Sequence, residues 1–412
     1  MTSSSDAVAP IASITVVAVV TALAQTAVWA VRPMVSYRAL DLGATPFDLG
    51  VVGGAFSVLS LFFAVPAGRW VDRRGEVTAI AAGAAMVAAT CAALVPARSL
   101  AALIVCHAVL GVASIVNVVG LQAIVANRAT VAQRDRRFAT FTMAVSFGQL
   151  LGPAVAGLIA TKVASAGGWD ANSAVFLVGA AVATLAAALA AALLPRRSTH
   201  PSVSSGGPGT PRPGLLQVMA IPGMPQAMLV SVTVLSAVDV LTTYLPAIGE
   251  AQGLSVASVS LLLSARAGAS FLSRLLMPWL IARGGRRRVL IFSTLVPALL
   301  LCLWPWIDNL AAMFVLVVVI GFGLGIGQPM TMVWVANRAP DESRGIALGM
   351  RLTVNRLGQI SVPLAVGAIA GMAGLGSVFV SMAALLGAST IAVRGADFDA
   401  EISAREPPAA ED

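Results

Sequence analysis

Charge is scarce in this 412-residue chain: Asp, Glu, Lys and Arg make up 11% of it, while hydrophobic residues make up 58%. Soluble chains carry about 25% charged residues, so these values, with a mean hydropathy of +0.90, exclude a soluble globular class. Cysteine is equally sparse. Cys91, Cys106 and Cys302 all lie inside apolar runs, which removes any disulfide framework and leaves small-residue packing as their role. Two histidines are too few for a metal-ligand cluster, and no polar segment holds a Ser/His/Asp set or a phosphate loop. Enzyme chemistry, a cofactor and ATP hydrolysis are therefore not expected. The start of the chain also lacks the basic n-region of a cleavable signal: Asp6 is its one charge, and the first apolar stretch is too long for an h-region. That stretch reads as a retained first helix.

Long apolar runs are what the chain has in abundance. A spanning helix needs about 20 mainly apolar residues, and twelve such runs can be marked off, the second at 47–67, the third at 77–97 and the fifth at 138–163. Gly, Pro and Ala are dense within them, as close helix packing in lipid favours. Strands are not needed anywhere. The expected fold is an all-α, multi-pass membrane protein with twelve transmembrane helices, its high isoelectric point reflecting topology and contact with anionic lipids rather than nucleic acid. With both termini cytoplasmic, the inner loops and tail hold eighteen arginines, against Arg38, Arg98 and Lys162 outside.

The chain also repeats. A shift of 210 residues lays the "VANRA" at 125–129 on the "VANRA" at 335–339, Gly148 on Gly358 and Pro153 on Pro363. The same shift lays Arg73 and Gly75 on Arg283 and Gly285. Six spans per repeat is an even number, so the halves are parallel, pseudo-symmetric bundles at 1–194 and 223–393. Between them a Pro/Gly/Ser linker, 195–222, is expected to be mobile and cytoplasmic, and 394–412 is a cytoplasmic tail.

The stretch "GRWVDRRG", Gly68 to Gly75 with Asp72 and Arg73, resembles the loop 2–3 signature of the major facilitator superfamily. Glu76 replaces the basic residue expected after Gly75, and Ala282 stands where the second copy should have its acid. In helix five, "FGQLLGPAVAG" with Gly148, Gly152, Pro153 and Gly157 resembles the Gly-Pro element of drug–proton antiporters. The resemblance implies a secondary transporter that moves a small organic solute across a bacterial-type inner membrane by alternating access. It would act as a monomer, with its site near the midplane where the halves meet. Gly68, Asp72, Arg73 and Gly75 would form a conformational latch, Gly68 permitting a close helix approach and Asp72 accepting from a helix start. The helix-five element favours export over import.

Charges within spans carry the most functional information, because each costs several kcal/mol at the bilayer centre without a partner or a wet cavity. Asp239 is the one acid well inside a span, and depth places it level with Arg266, so the two are expected to pair. With no ATP site, protons are the expected energy source, and Asp239 and His107 are the candidate proton-coupling groups. Arg32, Gln25, Arg266, Arg356, Arg351 and Asn355 are the candidate substrate-binding groups, with Arg351 and Arg356 diverging around helix eleven. Their excess of positive charge favours an organic anion. The alternatives are a multidrug–proton antiporter for apolar or cationic compounds and a non-transporting receptor or scaffold.

Overall fold

In the computed structural model, the described residues are 11–127, 131–166, 170–194, 215–339 and 344–395, and all their regular structure is helical. The helices are α1 (Ile11–Asp41), α2 (Pro46–Arg74), α3 (Glu76–Leu94), α4 (Leu100–Asn127), α5 (Val131–Ala166), α6 (Ala171–Leu193), the short α7 (Leu215–Met219), α8 (Met224–Ala251), α9 (Val256–Leu303), α10 (Leu310–Arg338), α11 (Arg344–Ala373) and α12 (Gly376–Arg394). Because α9 breaks at Gly285, it supplies two spans, Val256–Gly284 and Arg286–Trp306, and the described residues hold twelve helices long and apolar enough to cross a membrane. Helices dominate because lipid offers no partner for backbone N–H and C=O groups. The protein is an integral, multi-pass membrane protein.

The repeat is written in the backbone. Shifted by 210 residues, α2 falls on Val256–Gly284 and the start of α3 on Arg286. Gly75, between α2 and α3, has φ 85° and ψ 155°, and its counterpart Gly285 has φ 72° and ψ 154°. Only glycine adopts that region without strain, so both copies reverse the chain in the same way.

Hydropathy misjudged two boundaries for one reason. The α2 helix continues past residue 67 to Arg74, and α5 begins at Val131 rather than 138. Charged residues end a hydrophobic run but not a helix, since Arg is a good helix former and water satisfies its head group. Of the expected linker, 195–214 lies outside the described residues, while 215–219 forms α7. Tail residues 396–412 also lie outside them.

Starts are set by side-chain caps. Thr45, just before α2, and Asp48 in its first turn exchange hydrogen bonds, Asp170 caps α6, Ser255 caps α9 and Asn309 caps α10. The outer faces stay apolar: Phe62 is 68% exposed and Trp306 71%. In water such faces would aggregate, whereas in a bilayer they meet lipid.

Two compact units are found, one holding Met1–Arg38 and Val58–Ser204, the other Ala39–Ser57 and Ser205–Asp412. In the first, Val20, Ile80, Leu121, Ile124, Phe141 and Ala186 form a core drawn from α1, α3, α4, α5 and α6. Close approach replaces bulk at several crossings. A Cβ on Gly83 would lie 2.5 Å from the Asn117 backbone N, while Asn117 itself donates to the Ile80 carbonyl at 2.9 Å.

In the second unit α10 lies tight on α9, where Ser270 donates to the Gly321 carbonyl at 2.6 Å. The first half of α2 belongs to this unit. There a Cβ on Gly50 would lie 2.5 Å from the Pro363 carbonyl, and the Tyr244 hydroxyl is 3.0 and 3.1 Å from the carbonyls of Pro46 and Pro363.

Candidate functional site

On α11, spacing of four places Arg351, Asn355 and Gln359 on one buried face, each no more than 6% exposed. Gln359 donates from Nε2 to the buried Asp239 carboxylate on α8, and its Oε1 accepts from Arg356 Nη1 at 3.1 Å. One amide thus joins a half-buried cation to the buried acid. Arg351 turns elsewhere: its Nη2 donates to the Gln328 carbonyl at 2.9 Å, to Gln328 Oε1 at 2.7 Å and to Thr331 Oγ1 at 3.1 Å, all on α10. Gln328 in turn donates to the Ser231 carbonyl at 2.6 Å, which ties α11, α10 and α8 together. Arg351 is held as a brace.

Arg266 is 3% exposed, and its backbone lies against α10, where a Cβ on Gly321 would come within 2.3 Å of its carbonyl oxygen. It also lines a small apolar cavity with Leu241, Leu245 and Trp304. Around this network the side-chain oxygens of Ser231, Ser236, Ser260, Ser264 and Asn355 are buried and lack hydrogen-bond partners among the described residues. Buried polar groups are rarely left unsatisfied, so water or a polar solute is the natural partner for these five. Sequence reading missed Gln359, Gln328 and Thr331. The available signal was the spacing of three between Arg356 and Gln359, and between Gln328 and Thr331, which puts each pair on one helix face.

The first unit carries its own polar stripe on α1. Trp29 Nε1 donates to Gln25 Oε1 at 3.3 Å, and the Arg32 guanidinium lies 4.8 Å from the centre of the Trp29 ring. Such stacking attracts a cation to an aromatic face and fixes the plane of the guanidinium. Helix α5 reaches this stripe through its two glycines. A Cβ on Gly148 would lie 2.4 Å from Gln25 Cβ, and one on Gly152 would lie 2.7 Å from the Ala30 backbone N. In the second unit Gly358 makes the equivalent approach to α8 at Val232, so this element is packing common to both repeats. Pro153 lies inside α5, and His107 is 2% exposed on α4. Gln25 and Arg32 belong to the first unit, Asp239, Arg266, Arg351, Asn355 and Arg356 to the second.

Arg38 corrects the sequence reading. It is not in an outer loop but 3% exposed on α1, where it pairs with Asp170 and donates to Ser173 Oγ at 2.7 Å. Burial alone would raise the Asp170 carboxyl. Hydrogen bonds from the Ser173 side chain and backbone, the charge of Arg38 and the Asn172 N–H outweigh it, and hold Asp170 below its ordinary range. A carboxylate depressed by folding contributes stability above its unfolded pKa, and that contribution is lost as pH falls through the folded one. Asp170→Asn is therefore expected to cost about 1–2 kcal/mol at neutral pH, less than a fully buried pair because the carboxylate is 40% exposed. In thermal melts the gap to wild type should close below the usual carboxylate range.

The loop 2–3 residues also differ from expectation. Gly68 makes no close approach among the described residues, since a Cβ there meets none of their atoms within 4 Å. Asp72 is exposed in the last turn of α2, an end the helix dipole makes unfavourable for an anion, and not at a helix start. The acid in the first turn of α3 is Glu76, which accepts from Asn127 Nδ2 at 2.7 Å. Gly75 supplies the reversal, and Arg73 is exposed beside it.

A sequence profile of the Major Facilitator Superfamily matches residues 17–248 and again 227–412. No curated protein matches the sequence significantly. Solved structures with the same fold include the nucleoside transporter NupG, at 15% identity and a TM-score of 0.76, covering 92% of this chain and 99% of that one. A bacterial homolog of the human lysosomal transporter Spinster aligns at 14% identity and a TM-score of 0.71, over 92% and 95% of the two chains. The human organic anion transporter MFSD10 aligns at 18% identity and a TM-score of 0.65, over 93% and 99%.

Proposed function

The chain belongs to the major facilitator superfamily of membrane transporters, and we propose that it is a proton-coupled secondary transporter of a small organic anion, working by alternating access. The observation that carries this reading is the Arg356–Gln359–Asp239 chain, in which a buried acid and a cation share one amide. With Asp239 ionised, Gln359 is held by the acid and keeps Arg356 in place for an anionic solute, and protonation of Asp239 removes the charge that polarises the amide and loosens that hold. Proton uptake is thereby tied to solute release, as export by proton antiport requires. Arg32, stacked on Trp29, is the corresponding cation of the first unit. The export direction draws on the resemblance of helix five to antiporters.

Flux into proteoliposomes tests the reading. Under an imposed proton gradient, wild type should move organic anions. Arg32→Gln and Arg356→Gln should each lose at least about tenfold in anion flux, as expected for a lost charge-assisted hydrogen bond of 1.5–3 kcal/mol, with Arg351→Gln acting mainly on stability. Robust efflux of apolar cations with unchanged anion flux would instead establish the multidrug alternative, and no flux of any solute would point to a receptor.

A further inference from the structure

The break in α9 opens a groove of about 430 Å³ against α10, walled by Leu280, Val289, Phe292, Val319, Phe322 and Ile326. It lies on the outside of the second unit, where Phe292 is 61% and Trp279 51% exposed, so it faces lipid rather than the polar network around Asp239. Its charged lining residues are Arg283 and Arg288, on either side of the break, both exposed, and among the described residues no acid lines it. Arg283 is already oriented, its guanidinium lying 4.5 Å from the centre of the Trp279 ring. Neighbouring Arg287 is committed to the Arg394 carbonyl at the end of α12, at 2.5 Å.

We propose that this groove is a binding site for one anionic phospholipid, the phosphate held by Arg283 and Arg288 and one acyl chain lying between α9 and α10. The charge complementarity is specific: two guanidiniums with fork geometry for phosphate oxygens stand at the mouth of an otherwise apolar channel. A zwitterionic lipid would bring an ammonium group to the same arginines and lose much of the gain. Seated there, the lipid braces the reversal at Gly285 from outside, a role independent of the transport reading.

Native mass spectrometry of the full-length, delipidated protein titrated with phosphatidylglycerol or phosphatidylcholine tests the site. Wild type should retain one phosphatidylglycerol about thirtyfold more strongly than phosphatidylcholine, two arginines each adding their usual attraction for an anionic headgroup. Arg283→Gln with Arg288→Gln should abolish that preference, the corresponding double Lys variant should keep part of it, and Arg69→Gln with Arg74→Gln should keep all of it. Val319→Trp, which fills the groove and leaves the arginines in place, should lower retention of phosphatidylglycerol. Equal retention of the two lipids by wild type, or undiminished preference in the double Gln variant, would overturn the proposal. So would displacement of phosphatidylglycerol by inorganic phosphate, which would mark a site for a free anion.

Discussion

Asp239→Asn should reduce proton-driven accumulation in proteoliposomes to the level of empty vesicles, while solute binding and downhill exchange persist. Asn cannot be charged, so the residue would remain in one of the two states through which a carrier must cycle. The hydrogen bond from Gln359 would survive in weaker form because the Asn carbonyl still accepts. That is why binding should outlast coupling. Gln359→Leu should do the reverse: it separates Arg356 from Asp239 and leaves the acid in place, so a steeper loss in affinity than in coupling is expected. Full proton-driven transport by Asp239→Asn would eliminate the residue as carrier and leave His107, buried on α4, as the group to test.

The second large effect separates two glycines with equal standing as sequence signatures. Gly152→Leu should leave almost no folded protein in detergent, because even its Cβ would sit 2.7 Å from the α1 backbone at Ala30 and Trp29, atoms that cannot turn aside. Overpacking costs about 1–3 kcal/mol where neighbours can shift, and more where they are backbone. Gly68→Ala should be accepted with no loss of stability, since no atom of the described residues lies within 4 Å of the added carbon. Size-exclusion profiles and thermal melts of the two variants check the contrast. A monodisperse, stable Gly152→Leu protein would show that α1 and α5 separate readily.

The positions of the spans were legible because lipid makes one demand of every crossing segment, a long apolar run, and composition records it. Helix ends were less legible where the demand lapses, as at Arg69–Arg74, which leave the apolar run but stay helical. Buried arginines could be listed from sequence, yet their partners could not. Arg351 is held by Gln328 and Thr331, and Arg356 by Gln359, through contacts between helices distant in the chain or along a helix whose rotation hydropathy does not fix. Arg38 was hidden differently. It follows an apolar run at a helix end, where a solvated arginine looks the same in sequence as one buried against Asp170.

The reversals at Gly75 and Gly285 bear on how the chain is made. Each joins two spans through a single non-helical residue, so there is no slack for the first span to settle in the bilayer while the ribosome supplies the second. The paired spans are therefore expected to leave the translocation channel together as helical hairpins. Their closed ends carry Arg69, Arg73 and Arg74 in one case and Arg283, Arg286, Arg287 and Arg288 in the other. By the positive-inside tendency such arginine-rich ends are expected to stay on the side of synthesis, so that each hairpin would enter with its orientation already decided.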